Sequence, residues 1–453
     1  MQARGAEDKR LKLDSGSHVG VVGGGPAGSF FSYFLLRFAQ RVDMDIHLDI
    51  YESRNFSVPG PAGCNMCAGV ISESLVQILA VEGINLPPEV VQRGINSYVL
   101  HMEMGSTIIY TPLDEMRIAT VYRGSGPRGV QQLKWSSFDG YLLELAVANG
   151  ANLVRSRVSG ITWNGGKPEV QIKGKPPQAY DLLVGAVGVN SPSLGLFEKL
   201  DFQYQQPKVR RTFITELEFG VDLVRTQFGN SMHVFLLNLP KLDFASLIPK
   251  GDYVTLCLIG TDIDRKFVES FLDHPVVKEC FPADWALAPD ACHCSPKFST
   301  ADALHPFADR VILIGDSGVT RFNKDGIGAA YRTAKAAAMT AIFEGISAKD
   351  FQKHYWPACR AISHDNRFGK LIFAGARLIK KMRYPLYGVL RMVKKEQQRL
   401  ASQRQMSMVL WDMFTGSARY RDIFFRTLHP YFLARFLIEM VLAIFLASRR
   451  DTN

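Results

Sequence analysis

The chain has 453 residues, 47% hydrophobic and 21% charged, which excludes a disordered or fibrous protein and calls for two or three domains with room for a bulky ligand. Its net charge is +10, carried by the tail: from Lys370 onward 16 Lys and Arg stand against 5 Asp and Glu, so that region asks for an anionic partner. The seven cysteines, an odd number, fit a reducing compartment better than a disulfide framework. The N-terminal MQARGAEDKRLKLDSGS has no apolar core of a signal peptide, so a cytoplasmic location is expected.

In chain order, HVGVVGGG (His18 to Gly25) reads as a buried strand, and PAGSFFSYFLLRFAQR opens a helix at the glycines. A second strand ends at Glu52, completing a βαβ unit. A Pro/Gly-rich stretch with Cys64 and Cys67 precedes a helix, SESLVQILAVEG. Strands are expected from Ile95 to Val121, and an amphipathic helix from Phe138, stopped at Gly150. Asn152 to Gly174 reads as a β-meander turning at Asn164-Gly165-Gly166. Tyr180 to Ser191 is a strand running into a turn, and Lys208 to Gly260 alternates as a mostly antiparallel sheet. Asp309 to Gly318 is another buried strand, followed by a small-residue helix at Gly326. Beyond Ala348 the pattern is helical.

Gly23, Gly25 and Gly28 fall on the spacing G-x-G-x-x-G, with a strand before, a helix after and an acid, Glu52, at the end of the second strand. That context points to a bound dinucleotide. Glycines and the small Ala27 let the backbone approach a pyrophosphate, and the helix N-terminus adds positive partial charge. Glu52 would bind ribose hydroxyls and repel a 2′-phosphate, which disfavours NADP.

Joined in order by FDGYLLELA, DLLVGAVGVNS and RVILIGDSG, this loop resembles the large FAD-dependent family of aromatic hydroxylases, flavin halogenases and geranylgeranyl reductases. The resemblance implies FAD as cofactor, with Gly315 and Asp316 binding its ribityl and pyrophosphate region and Gly326-Ile327-Gly328 lying under the flavin. The family carries an arginine before the Phe-Asp pair; this chain has Lys134 and Trp135 there, leaving Arg128 as the expected counterpart and Arg123 as its alternative. Val187-Gly188 replaces an Asp-Gly of the hydroxylases, so an acid used with NAD(P)H is missing. The branch most resembled is the geranylgeranyl reductases, through the loop Cys67-Ala-Gly-Val-Ile-Ser72 and the segment PKLDFASLIP. It implies a flavin-side role for Cys67 and substrate contacts from Phe244, Ile248 and Pro249.

The fold class expected is α/β: a Rossmann-like FAD-binding domain with an inserted antiparallel β-sheet substrate domain and a helical, basic C-terminal region. The FAD domain would comprise residues 17–94, 126–200 and 296–345. The substrate domain would take 95–125 and 201–295, and the basic region 346–453. The expected reaction is reduction of carbon–carbon double bonds in an isoprenoid lipid, pigment or prenylated quinone, with an electron donor that the sequence does not name. Alternatives are a quinone-linked flavoprotein dehydrogenase fed by an electron-transfer flavoprotein, a monooxygenase or halogenase, and a flavin-binding subunit of a membrane complex.

Cys64-Asn-Met-Cys67 reads as a redox pair, as half a metal site, as a lone Cys67 near the flavin, or as small residues filling a tight loop. Cys292-His293-Cys294 has the wrong spacing for a zinc site, and no metal is expected. In the tail, basic residues interleave with aliphatic ones, which disfavours nucleic acid. From Tyr431 to Ser448 the chain is apolar almost all round, its internal charges Arg435 and Glu439 spaced to pair as i,i+4. A peripheral position on the anionic inner face of a membrane is expected. The alternative buries this helix in the protein or a dimer.

Overall fold

The computed structural model describes residues 11–111, 118–128, 136–400 and 403–450. Its first sheet has six strands in the spatial order Phe307–Ala308, Val311–Leu313, Leu182–Gly185, Ser17–Val22, Ile46–Tyr51 and Asn152–Val154. All neighbours are parallel except the first pair. The strand Ser17–Val22 is central, and Val19, Val21 and Val22 are buried on its two faces. Burial on both faces requires a continuous Val run rather than an alternating one. Helix Pro26–Arg41 covers one face, packed against Gly326–Met339, whose small residues permit close contact.

The second sheet has seven strands in the order His293–Cys294, Phe213–Glu218, Tyr253–Gly260, Leu242–Lys250, Ser231–Phe235, Ser97–Met102 and Gly105–Tyr110. It is antiparallel throughout except where Ser231–Phe235 runs parallel to Ser97–Met102. That one pairing joins two segments far apart in sequence into a single wall. Of the meander expected over Asn152 to Gly174, Asn152–Val154 joins the parallel sheet instead, and the rest forms as its turn chemistry dictates. Val158–Asn164 and Lys167–Ile172 pair across Gly165-Gly166, both with positive φ, the conformation that a two-residue hairpin turn of the primed type requires.

The C-terminal helices are not an appendage. Leu386, Val389, Met392, Val393, Met406 and Trp411 bury themselves in one apolar cluster with Tyr98, Leu100 and Met232 of the second sheet. Helix Arg383–Glu396 lies beside Pro430–Arg450, and the charges cross between them. Glu439 pairs with Arg391 at 3.2 Å and Lys395 at 2.5 Å, while Arg435 lies 3.9 Å from Glu396. The expected Arg435–Glu439 pair is therefore replaced by pairing across the helix hairpin. A facing helix desolvates these side chains, and ions there gain more from a fixed opposite charge than from a neighbour on their own turn. Among the described residues no single helix is long and apolar enough to cross a membrane; Tyr420–Thr427 with Pro430–Phe445, bent by 62°, passes only as a pair.

Candidate active site

The two sheets enclose a cleft with an empty volume of about 1700 Å³, its open mouth included. On one side it is lined by Gly23, Gly25, Pro26, Ala27 and Glu52. The three glycines of the loop have different neighbours. Gly23 has φ +106°, and a Cβ there would lie 2.5 Å from the Ala186 carbonyl oxygen. A Cβ on Gly28 would overlap the Gly23 carbonyl, so that position serves close packing of helix on strand. Gly25 faces the cleft, with only the Asn65 side chain near, at 3.2 Å. It also begins the helix, with no side chain capping it, so its free N–H groups point where a pyrophosphate would bind. Glu52 accepts from the N–H of Gly24 at 3.0 Å and of Arg54 at 2.8 Å. It therefore braces the loop with one lone pair per oxygen and keeps others for ribose hydroxyls.

Further along, Asp316 lies on a single helical turn, Gly315–Ser317, and lines the cleft with Gly326 and Ile327. Gly315 has φ +59°, and a side chain there would meet Ala27 at 2.8 Å, which brings two segments distant in sequence together at one point. Burial pushes the Asp316 carboxyl above its ordinary value. Gly328 lies one step deeper, packed against the Asp325 carboxylate rather than lining the cleft. Asn323 lines the cleft with both amide atoms buried and without a protein partner. Orphaned polar atoms at a cavity wall are what a polar ligand satisfies.

Arg123 lines the cleft, whereas Arg128 is exposed and does not; Lys134 and Trp135 lie outside the described residues. Arg123 forms a two-point ion pair with Asp139 and also faces Cys67. Burial works against its charge, but Asp139 and Cys67 more than offset it, so the guanidinium stays charged. Asn65 bridges Asp139 to Arg54, tying the cysteine loop to the dinucleotide side. Cys67 lines the cleft and also an adjoining side cavity that holds Cys64, Cys292 and Cys294. The fold thus gathers two cysteine motifs that are more than 200 positions apart in sequence.

The opposite wall is apolar. Alternation along Leu242–Lys250 turns Phe244, Ser246 and Ile248 into the cleft and Pro249 away from it. Ile214, Met232, Cys257 and Ile259 from neighbouring strands extend the wall. Burial pushes the Cys257 thiol up to about 12, which keeps it neutral. At the junction of the polar and apolar sides stands Lys324, its Nζ 4.8 Å from the centre of the Phe244 ring. Burial lowers its ammonium to about 8. Sequence reasoning passed over Lys324, although it precedes the Gly326 helix by two residues. Nothing in its local pattern shows that Phe244 comes to cover it.

A parallel sheet with a glycine loop at the start of its first helix, and a late Gly-Asp turn beside that loop, is the arrangement of a Rossmann-type dinucleotide-binding fold. The solved structures that share the fold include a flavoprotein/dehydrogenase from Cytophaga hutchinsonii, 14% identical over 97% of this chain and 100% of that one, with TM-score 0.59. Halogenase PltM in complex with phloroglucinol and FAD is 14% identical over 97% of this chain and 93% of its own, with TM-score 0.57. A 2-methyl-3-hydroxypyridine-5-carboxylic acid oxygenase is 15% identical over 81% and 93%, with TM-score 0.57. At such identities the likeness establishes the fold. No family model and no curated protein matches the sequence. The residues at the cleft fit a flavin dinucleotide: a glycine cradle that Cβ atoms would fill, a free helix N-terminus, and the unpartnered Asn323 amide.

Proposed function

We propose that the chain is an FAD-dependent oxidoreductase that reduces carbon–carbon double bonds of an isoprenoid chain carried by a lipid, pigment or quinone. The observation that carries this reading is the division of one cleft into a polar dinucleotide side and an apolar wall of Ile214, Met232, Phe244, Ile248 and Ile259. Gly23, Gly25, Ala27, Glu52, Asp316, Asn323 and Gly326 would hold FAD, which when reduced supplies a hydride to one carbon of the double bond. The chain's own residues do the rest. The apolar wall binds and orients the substrate and excludes water. Lys324 Nζ holds the proton that the second carbon needs, beside the ring of Phe244 that the substrate would touch. Arg123, held by Asp139, keeps a positive charge next to Cys67 and positions that loop.

We also propose that the protein works on an anionic membrane, as a peripheral protein of the cytoplasmic face. Tyr431, Leu437, Ile438, Val441 and Phe445 on the last helix, with Phe425 and Leu428 before it, are exposed, in the same C-terminal region that carries the chain's excess of basic residues. An apolar substrate tail has to be drawn from lipid, and this surface is suited to that.

The experiment is anaerobic. The purified protein, reduced with dithionite, is mixed with a geranylgeranyl lipid, and flavin reoxidation and product mass are followed. A gain of two mass units per bond supports the reading. Oxygen- or halide-dependent modification of an aromatic substrate, with no reoxidation by the lipid, would assign the cleft to a monooxygenase or halogenase instead.

A further inference from the structure

On the face of the second sheet that turns away from the cleft, three side chains distant in sequence converge. His101 lies on strand Ser97–Met102, His233 on Ser231–Phe235, and Cys280 just after the helix Pro275–Lys278. The parallel pairing sets His101 opposite Phe235 and His233 opposite Val99, which places both imidazoles on one face, one pair apart. All three side chains are buried. His101 Nε2 lies 3.0 Å from His233 Nδ1, and Cys280 Sγ lies 3.8 Å from the first and 3.7 Å from the second.

We propose that His101, His233 and Cys280 bind one thiophilic d¹⁰ cation, Zn²⁺ or Cu⁺, as a clip that fastens the Pro275–Lys278 segment to the sheet. The triangle has the required dimensions. Metal–nitrogen bonds of about 2.0–2.1 Å and a metal–sulfur bond of about 2.3 Å at tetrahedral angles separate the two nitrogens by about 3.3 Å and nitrogen from sulfur by about 3.6 Å. The observed sides differ from these by a few tenths of an ångström, within reach of small χ rotations. Ser106 offers a partner for the tautomer that ligation needs. His101 Nδ1 lies 2.8 Å from Ser106 Oγ, so an N–H donated to that hydroxyl leaves Nε2 with its lone pair toward the centre, the arrangement that orients a metal-ligating histidine. One sulfur and two imidazoles discriminate against Ca²⁺ and Mg²⁺, which take oxygen. Phe235 stacks on His101 at 4.6 Å, and Phe228 lies 5.0 Å from His233, so the surroundings are apolar. Three ligands complete the shell of Cu⁺; Zn²⁺ would add one water. Without a cation, the histidines would share one hydrogen bond and the thiol would make only long sulfur hydrogen bonds, to both nitrogens and to the Val276 carbonyl.

The test does not depend on the flavin chemistry. The full chain is stripped with chelator under reducing conditions, then titrated separately with Zn²⁺ and Cu⁺ and assayed by elemental analysis after desalting. One equivalent of one of them per chain is expected, with X-ray absorption showing one sulfur and two imidazole nitrogens, and a rise in melting temperature on loading. Co²⁺ should give a sulfur-to-metal charge-transfer band in the near ultraviolet. Cys280→Ser and His233→Gln should each lower affinity at least tenfold, while Cys359→Ser retains the metal. No uptake by the wild-type chain, a shell without sulfur, or equal binding by Cys280→Ser overturns the proposal. The absorption spectrum of the wild-type protein decides even if the variants fold poorly.

Discussion

Lys324 stands in the cleft where the polar side meets the apolar wall, and burial there lowers its ammonium. An ammonium lowered to about 8 is mostly protonated at neutral pH and still a stronger acid than an exposed lysine, the condition for proton donation. Its donating form is present below about 8 and is lost as pH rises through that value, so the rate of double-bond reduction should show an alkaline limb there. Lys324→Met should lower the rate a hundredfold or more, of the order general acids contribute, and abolish the limb while flavin content is unchanged. Loss of flavin together with rate would show instead that Lys324 is a binding residue. At the glycine loop, Gly25→Val should give a chain that folds but takes up no FAD, because the new side chain fills the free space beside Asn65; a yellow protein would contradict this. Cys67→Ser should keep FAD and lose most turnover, and unchanged turnover would leave Cys67 as a small residue filling its loop.

Two helices of the C-terminal region, Trp356–Ile379 and Tyr420–Thr427, hold the Thr320–Asp325 loop in place. Asn366 donates to the Thr320 carbonyl and accepts from the Phe322 N–H, both at 2.9 Å. Tyr420 donates to the Phe322 carbonyl at 2.6 Å. Arg321 bonds the carbonyls of Gly416 and Ala418 and lies 4.4 Å over the Tyr420 ring. The C-terminal helices therefore set the position of Asn323 and Lys324. Asn366→Ala leaves a buried N–H and a buried C=O unpaired, at about 1–3 kcal/mol, and should weaken FAD binding as well as lower the melting temperature. A fall in stability with unaltered FAD affinity would show that the loop is held by other contacts. The hairpin of helices Arg383–Glu396 and Pro430–Arg450 has its own signature. Burial would raise the Glu439 carboxyl, but Lys395 and Arg391 outweigh it and hold it below its ordinary value of 4.5. Its contribution is complete above that unfolded-state value and is lost as pH falls through the depressed one. Glu439→Gln should thus lower stability at neutral pH by about 0.5–1 kcal/mol, half-exposed partners limiting the effect, and the difference from wild type should vanish in acid melts.

At the scale of the molecule, the last helix has two faces with different duties. Its inner face is structural: Phe432 is buried in the cluster beneath the second sheet, and Phe436 and Met440 press on Gly388. Truncation before Pro430 would uncover that face, so point substitutions test membrane binding better. Ile438→Ser with Phe445→Ser removes apolar area from the outer face only. In flotation with phosphatidylserine vesicles this variant should bind weakly and be released by salt. The wild type should be weakened but not fully released, because salt screens charge and leaves apolar burial intact. Wild type that stays unbound at low salt would refute membrane docking.

The local features of this fold were legible in the sequence because they are made by neighbours along the chain. A Val run, a glycine turn and a helix start sit within about 30 residues, and steric limits and backbone hydrogen bonding act over that range. Gly23, Gly25, Gly28 and Glu52 needed no more than that, and the turn at Gly165-Gly166 needed still less. What the tertiary structure decided depends on which surfaces come to face each other. Arg123 and Arg128 are five residues apart in one irregular segment, and no periodicity tells which enters the cleft. Glu439 had a partner one turn away and took two others, because a facing helix excluded water from it. Lys324 is lowered to about 8 only because the tertiary structure buries it. His101, His233 and Cys280 carry no spacing signal at all, since a parallel pairing of distant strands brings them together. Desolvation and charge pairing are set by packing across the chain, and the sequence determines that packing without displaying it at any one place.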